Sequence, residues 1–307
     1  MTPGPLMVIG GAEDKTGARQ VLARFVALAG GARAKIAVVA TASALGEEIV
    51  DAYRAAFAAL GVTDVVAPRP LTRAEAAQPS VVAELATATG VFMTGGNQTK
   101  LAGVVAGTPF GDAIRAAHLR GAVVGGTSAG ASVQSEHMIA FGGEGSTPKL
   151  RMAQMSAGLG LLPGVVIDQH FEQRGRYGRL LTLVAHAPHL LGMGVDEDTA
   201  AVVNGSTLEV VGKGAVTLFD GAAMSSNIDT AAGTAPLMVS GVVLHSLPAG
   251  SRFDLAGRAL LSGAGGRPDD LRDPAAPRPR KSRVEKLIAA EGVIGDVPHR
   301  RPRSSKS

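Results

Sequence analysis

Apolar and polar positions alternate along this chain in blocks rather than residue by residue. "LMVIG" (6–10), "KIAVVATAS" (35–43), "GVFMTGG" (90–96) and "GAVVGGTSAG" (121–130) are short apolar runs that end in glycine or small polar residues. Strands with no polar face are strands covered on both sides, which predicts a parallel sheet. "TDVVAP" (63–68) is a weaker run of the same kind. Between the runs, "ARQVLARFVALAGG" (18–31), "GEEIVDAYRAAFAALG" (46–61), "RAEAAQPSVVAELATAT" (73–89) and "GDAIRAAHLRG" (111–121) carry apolar residues at helical spacing. Three of these stretches stop at glycine, a common helix terminator.

Strand and helix thus alternate, and the expected fold is α/β. It is a three-layer α/β/α arrangement with a mostly parallel central sheet. In such sheets, working residues gather on loops at the carboxyl ends of the strands. After about residue 190 the texture changes to frequent glycines and short β-prone runs, and "NGS" (204–206) reads as a hairpin turn. Extra β-hairpin structure in the C-terminal part is therefore expected on the same domain, residues 1–262. Residues 263–307 are rich in Gly, Pro and Arg and read as a flexible basic tail, because prolines flank its one marginal helical stretch at 281–296.

Charge divides the same way. The formal net charge is +4, but residues 267–307 carry 11 Lys/Arg and 6 Asp/Glu, which leaves residues 1–266 at −1. A nearly neutral body argues against nucleic acid as a partner, since a nucleic-acid domain needs a basic face on its folded part. No uninterrupted apolar run approaches 18 residues, so no membrane partner is expected, and the first residues lack the features of a signal peptide. Cysteine is absent, which excludes disulfides, thiolate catalysis and cysteine-bound metal, and the cytoplasm is the expected compartment.

The chemistry concentrates at three run ends. Gly126-Thr127-Ser128-Ala129-Gly130 matches G-x-S-x-G between a strand and a helical stretch, where a sharp turn can present serine as a nucleophile. A serine nucleophile needs a base and a group to orient that base. Of seven histidines, His170 stands out, because it ends an apolar run and opens a polar burst, "GVVIDQHFEQRGRYGR" (164–179). His186 and His189 lie three apart with no third ligand evident, so no metal is expected. For the orienting carboxylate, Asp196, Glu197 and Asp198 all follow another apolar run, and spacing does not choose among them. "GGAEDKTG" (10–17) is not a phosphate loop, since Asp14 stands where that motif needs glycine. "TGGNQ" (94–98) offers bare backbone amides at a strand end.

Taken in order, "IGGAEDK", "FMTGGNQ", "GGTSAGASV", "EGSTPK", "GLGLLPGVVIDQHFEQRGRYGRL" and "GMGVDEDTAAVV" resemble the cyanophycinases, serine peptidases of family S51. That family is distantly related to α-aspartyl dipeptidase and to the class I glutamine amidotransferases, so the resemblance implies a flavodoxin-like or class I glutamine amidotransferase-like form of the α/β/α fold. The resemblance spans residues 5–225. It implies hydrolysis of cyanophycin, a poly-aspartate backbone bearing arginine on each β-carboxyl, to β-Asp-Arg dipeptides, without metal or cofactor. By motif, Ser128 would be the nucleophile, His170 the general base and Glu197 its orienter. The Ala129 and Gly96 amides would form the oxyanion hole. Gln98, Asp168, Gln169, Arg174, Arg176 and Arg179 would line the substrate pocket, and a homodimer is implied. Two other readings stay open: a peptidase of the same family acting on small aspartyl or isoaspartyl peptides, and a non-catalytic binding protein on this scaffold. The amidotransferase reaction is excluded, because it needs a cysteine.

Overall fold

The structure is a computed structural model that describes residues 2–263. Apart from Gly263, the basic tail lies outside the described residues. The first half alternates β1 (Leu6–Ile9), α1 (Gln20–Leu28), β2 (Lys35–Val39), α2 (Glu47–Ala58), β3 (Asp64–Val66) and α3 (Pro79–Ala83). It continues with β4 (Gly90–Met93), α4 (Gln98–Val105), α5 (Pro109–Leu119), β5 (Val123–Thr127) and α6 (Ala129–Ser132). The second half begins with β6 (His137–Gly142), β7 (Ala153–Ala157), β8 (Val165–Gln169), α7 (Tyr177–His186) and β9 (Leu191–Val195). It ends with β10 (Thr199–Asn204), β11 (Thr207–Gly212), β12 (Ala215–Asp220), β13 (Ser225–Ser226), β14 (Val239–Ser240), β15 (Val243–Pro248), β16 (Arg252–Asp254) and β17 (Ala259–Ser262).

The large sheet runs β17-β16-β11-β10-β1-β5-β4-β2-β3. Its strands β1, β5, β4, β2 and β3 are parallel, as the strand–helix alternation predicts, whereas β10, β11, β16 and β17 join antiparallel. Strand β1 shows why the parallel runs are continuously apolar. Met7 and Ile9 pack with α1 and α2 on one face, while Leu6 and Val8 join the cluster that holds α4, α5 and α6 on the other. Aromatic residues are scarce but concentrated, and Phe25, Tyr53, Phe57 and Phe92 stack between α1, α2 and the sheet. Phe25 fits because two neighbouring strands carry glycine beneath it. A Cβ on Gly90 or Gly125 would lie 3.0 or 2.8 Å from its ring.

The hairpin read at 204–206 joins β10 to β11, with Asn204 opposite Thr207. The helix read at 73–89 is shorter than its apolar spacing suggests, reduced to a 3₁₀ turn at Glu75–Ala77 and α3. Pro79 explains the break, since the residue before proline avoids the helical region and Gln78 sits at φ −71°, ψ 127°.

A feature not foreseen is a second sheet, β15-β12-β9-β8, in which β8 and β9 are parallel and connected through α7. Its Ile167, Met193, Val195, Val216 and Leu218 belong to the same core as α4, α5 and α6. This sheet therefore packs on one face of the large one and brings the carboxyl ends of β8 and β9 to the carboxyl end of β5. Among the described residues, no helix is long and apolar enough to cross a membrane.

Candidate active site

Ser128 follows β5 at φ 52°, ψ −109°, a conformation that non-glycine residues rarely adopt. Its amide donates to Ile9 O at 3.0 Å, and its carbonyl accepts from the Ala131 and Ser132 amides of α6. The flanking glycines are dictated by backbone contact. A Cβ on Gly126 would lie 2.0 Å from Gly130 O, and one on Gly130 would lie 2.2 Å from Met93 O. The turn therefore closes only where both side chains are missing, which is why serine stands between glycines here.

His170 leaves the end of β8, also with a positive φ of 47°. Its Nε2 lies 3.0 Å from Ser128 Oγ and its Nδ1 2.8 Å from Glu197 Oε1. The ring rests on Gly11, where a Cβ would come within 2.3 Å of Cε1. Glu197 follows β9, and its amide is fixed by Gln173 Oε1 at 2.9 Å. Burial pushes the His170 imidazole below its ordinary pKa. Glu197 pulls it back by hydrogen bond and charge while Arg174 and Arg176 push it further down, so the net shift is downward. A neutral imidazole with Nδ1–H donated to Glu197 leaves Nε2 free to accept the serine proton.

The other two carboxylates of "DED" have different work. Asp196 accepts from the Glu172 and Ala215 amides at 3.1 and 2.9 Å. Asp198 accepts from the Asp14 amide and pairs with Lys213. Only the middle residue of the three projects toward the histidine.

The Ala129 amide opens α6 and Gly96 lies in the β4–α4 turn at φ 133°. Among the described residues neither amide donates a hydrogen bond to a protein acceptor. Gly96 must lack a side chain, because a Cβ there would lie 2.2 Å from Ala42 O. Gln98 is half-buried and donates its amide to Ala140 O at 2.7 Å, on β6. Gln169 Oε1 lies 3.4 Å from Ser128 Oγ and 3.1 Å from an Arg176 guanidinium nitrogen. Arg174, partly exposed, acts on His170 through its charge.

Three residues expected to line the substrate pocket are engaged elsewhere. Asp168 is 0% exposed and Arg176 and Arg179 are each 2% exposed. Arg179 clasps Asp168 through Nε at 2.6 Å and through a second guanidinium nitrogen, and Arg176 lies 3.4 Å from Asp168 Oδ1 and donates to Gln169 O at 2.6 Å. Burial raises the Asp168 pKa, but Arg179 and then Arg176 outweigh it, so the carboxylate stays charged. The physical reason for the difference is that i, i+8 and i, i+11 neighbours in a turn–helix segment fold back on the strand end. A sequence shows their charges but not that they neutralise one another.

Sequence reasoning missed a polar cluster behind the elbow. Glu13, 1% exposed, accepts from Thr127 Oγ1 and Tyr53 Oη at 2.5 Å each and pairs with Lys15 Nζ at 2.8 Å. The glycine pair before it, Gly10-Gly11, was the available signal. A Cβ on Gly10 would lie 2.0 Å from Asp196 O, so this loop touches the loop after β9 as closely as backbones can.

The chain is similar to known proteins over most of its length. Residues 6–211 match peptidase family S51. The chain is 41% identical to a cyanophycinase of Geminocystis herdmanii over 81% of this chain and 93% of that one. It is also 41% identical to a cyanophycinase of a Nostoc species, over 85% and 88%, and 39% identical to one of Synechococcus elongatus, over 82% and 79%. In fold it is similar to a crystal structure of a peptidase from an acI-B1 actinobacterium, with TM-score 0.64 and 23% identity, covering 82% of this chain and 97% of that one. The match over most of both chains, with a serine, a histidine and a glutamate joined by hydrogen bonds inside it, makes this chain a member of peptidase family S51 and a serine-type peptidase.

Proposed function

We propose that this chain is a cyanophycinase-type exopeptidase that hydrolyses the poly-aspartate backbone of cyanophycin to β-Asp-Arg dipeptides through an acyl-enzyme. The observation that carries the reading is the continuous relay from Ser128 Oγ to His170 Nε2 at 3.0 Å and from His170 Nδ1 to Glu197 at 2.8 Å, in a chain about two-fifths identical to curated cyanophycinases. Ser128 Oγ attacks the backbone carbonyl next to the arginine-bearing aspartate, and His170 Nε2 takes its proton. The imidazolium, stabilised by Glu197, then donates that proton to the leaving amine. Water attacks the ester in the second half-reaction with His170 again as base. The Ala129 and Gly96 amides, which donate to no protein acceptor among the described residues, are the proposed oxyanion donors.

Gln98, Gln169 and Arg174 are the proposed substrate contacts. Arg174 suits a substrate carboxylate, which a guanidinium can meet with two hydrogen bonds. Asp168, Arg176 and Arg179 act behind them, holding Gln169 beside the nucleophile. A homodimer is the assembly that the resemblance implies, and the cytoplasm is the proposed compartment because a chain without cysteine suits a reducing one.

Incubation with purified cyanophycin tests the substrate, with β-Asp-Arg identified by mass spectrometry as the expected product. Intact polymer, together with cleavage of small β-aspartyl dipeptides, would overturn the polymer reading in favour of small peptides. Ser128→Ala is expected to lower turnover by about 10⁴-fold or more with the fold retained, and substantial residual turnover would overturn the serine mechanism.

A further inference from the structure

The buried cluster behind the elbow is outside the relay, yet it grips the residue next to Ser128. Thr127 is the last residue of β5, opposite Ile9 of β1, and its hydroxyl donates to Glu13 Oε2 at 2.5 Å. The other carboxylate oxygen accepts from Tyr53 Oη at 2.5 Å and faces Lys15 Nζ at 2.8 Å. Lys15, 7% exposed, also sits 5.0 Å above the Tyr53 ring. Burial raises the pKa of such a carboxyl, but Lys15 and the hydrogen bonds to it, to Thr127 and to Tyr53 prevail, and Glu13 is charged. Its bond from Thr127 is therefore charge-assisted, stronger than a bond between neutral groups.

Two features make this more than core packing. Ser128 holds a strained backbone, which relaxes unless its surroundings over-determine it. Thr127 shares the side of β5 with Val123, the side that faces α1 and α2, while Ala129 and Ala131 of α6 belong to the core on the opposite face. Glu13 thus holds the turn from the face that α6 does not reach. Glu13 also belongs to the loop that seats the base. Gly10 O accepts the His170 amide at 2.8 Å, Gly11 lies under the imidazole, and Gly11 O accepts the Asp198 amide at 2.8 Å. One loop therefore fixes the nucleophile through a side chain and the base through its backbone.

Resting on the reading of Ser128 as nucleophile, we infer that Glu13, acting through Thr127, is a positioning residue that sets the Ser128–His170 distance. It touches neither substrate nor the reacting atoms. Its loss misplaces the serine oxygen, which lowers kcat and leaves KM alone, because the substrate contacts lie on other loops.

The test compares Thr127→Val, Thr127→Ser, Glu13→Gln and Tyr53→Phe at a temperature where circular dichroism finds each fully folded. The readouts are the second-order rate of covalent labelling by a fluorophosphonate probe, and kcat and KM on cyanophycin. Thr127→Val and Glu13→Gln are expected to slow labelling and kcat by about tenfold or more with KM held within about twofold. Thr127→Ser, which keeps the hydroxyl, restores both rates. Tyr53→Phe removes the donor remote from the elbow, so it lowers the melting temperature and leaves labelling near the wild-type rate. Wild-type labelling by Thr127→Val, or equal slowing by Tyr53→Phe, would overturn the inference. If Glu13→Gln does not fold, Thr127→Val decides alone. Failure of the wild-type chain itself to label would overturn the nucleophile reading, and this inference with it.

Discussion

Ser128 leaves the nine-stranded sheet, and His170 and Glu197 leave the four-stranded one, and the two sheets hold their residues by different means. At the elbow, glycine is required because backbone meets backbone, Gly126 against Gly130 O and Gly130 against Met93 O. At the base, glycine is required because a ring needs a seat, Gly11 beneath His170 and Gly194 beneath Phe171. Behind the elbow stands a charged side-chain cluster centred on Glu13, and behind the base stands another centred on Asp168. The nucleophile is thus fixed through its own chain turn and the Glu13 cluster behind it, while the base is fixed by the Gly10–Gly11 backbone and the side chains packed around it. A side chain added at Gly126 or Gly130 should cost fold and rate together, and errors around the base should separate them.

The largest expected effect sharpens the small-sheet side. Glu197→Gln keeps the shape but can present its amide N–H to Nδ1, which favours the wrong imidazole tautomer, and kcat should fall by about 10⁴-fold. Pre-steady-state kinetics on the folded variant checks this, and a loss below tenfold would remove Glu197 from the relay.

Asp168→Ala comes next and acts on stability. It leaves two buried guanidinium groups without their carboxylate and should cost about 3–5 kcal/mol, read by denaturant unfolding. A change in KM with unaltered stability would instead return Asp168 to the substrate. Gly11→Ala tests the seat of the ring directly. The added methyl displaces the imidazole, and kcat should fall by about 10²-fold, while a crystal structure of the variant would show the ring moved from Ser128.

The smallest expected effect is in pH. His170 must be neutral to act as a base, and its pKa lies below the ordinary value of 6.5. The acid limb of kcat/KM should therefore lie below pH 6.5, with activity lost only as the pH falls through the lowered value. Arg174→Gln removes one of the charges that depress it and should shift that limb upward. A limb at or above 6.5 in the wild-type chain would contradict the burial of His170.

How much of this was legible in the sequence varies by element. The parallel strands were, because a strand covered on both faces has no polar positions, and β1, β2, β4 and β5 fit that rule. The hairpin at 204–206 was, because two-residue turns demand particular residues and Gly205 supplies φ 59°. The second sheet was not, since an apolar run announces a strand but not its neighbours. Helix α3 is shorter than the apolar spacing over 73–89 implies, because Pro79 breaks the helical run.

The sequence by itself determined where chemistry could stand: a serine between glycines after one strand, a histidine after another, and three acidic residues after a third. Local rules of turn and burial suffice for that, because each depends on a few adjacent residues. Spacing leaves three carboxylates open and the family motif names Glu197, but only the tertiary structure brings it to the imidazole, sets Asp168 against Arg179 and Arg176, and carries Glu13 to Thr127. Those pairings join residues as few as 8 and as many as 114 positions apart. Packing fixes them, and adjacency in sequence carries no record of it.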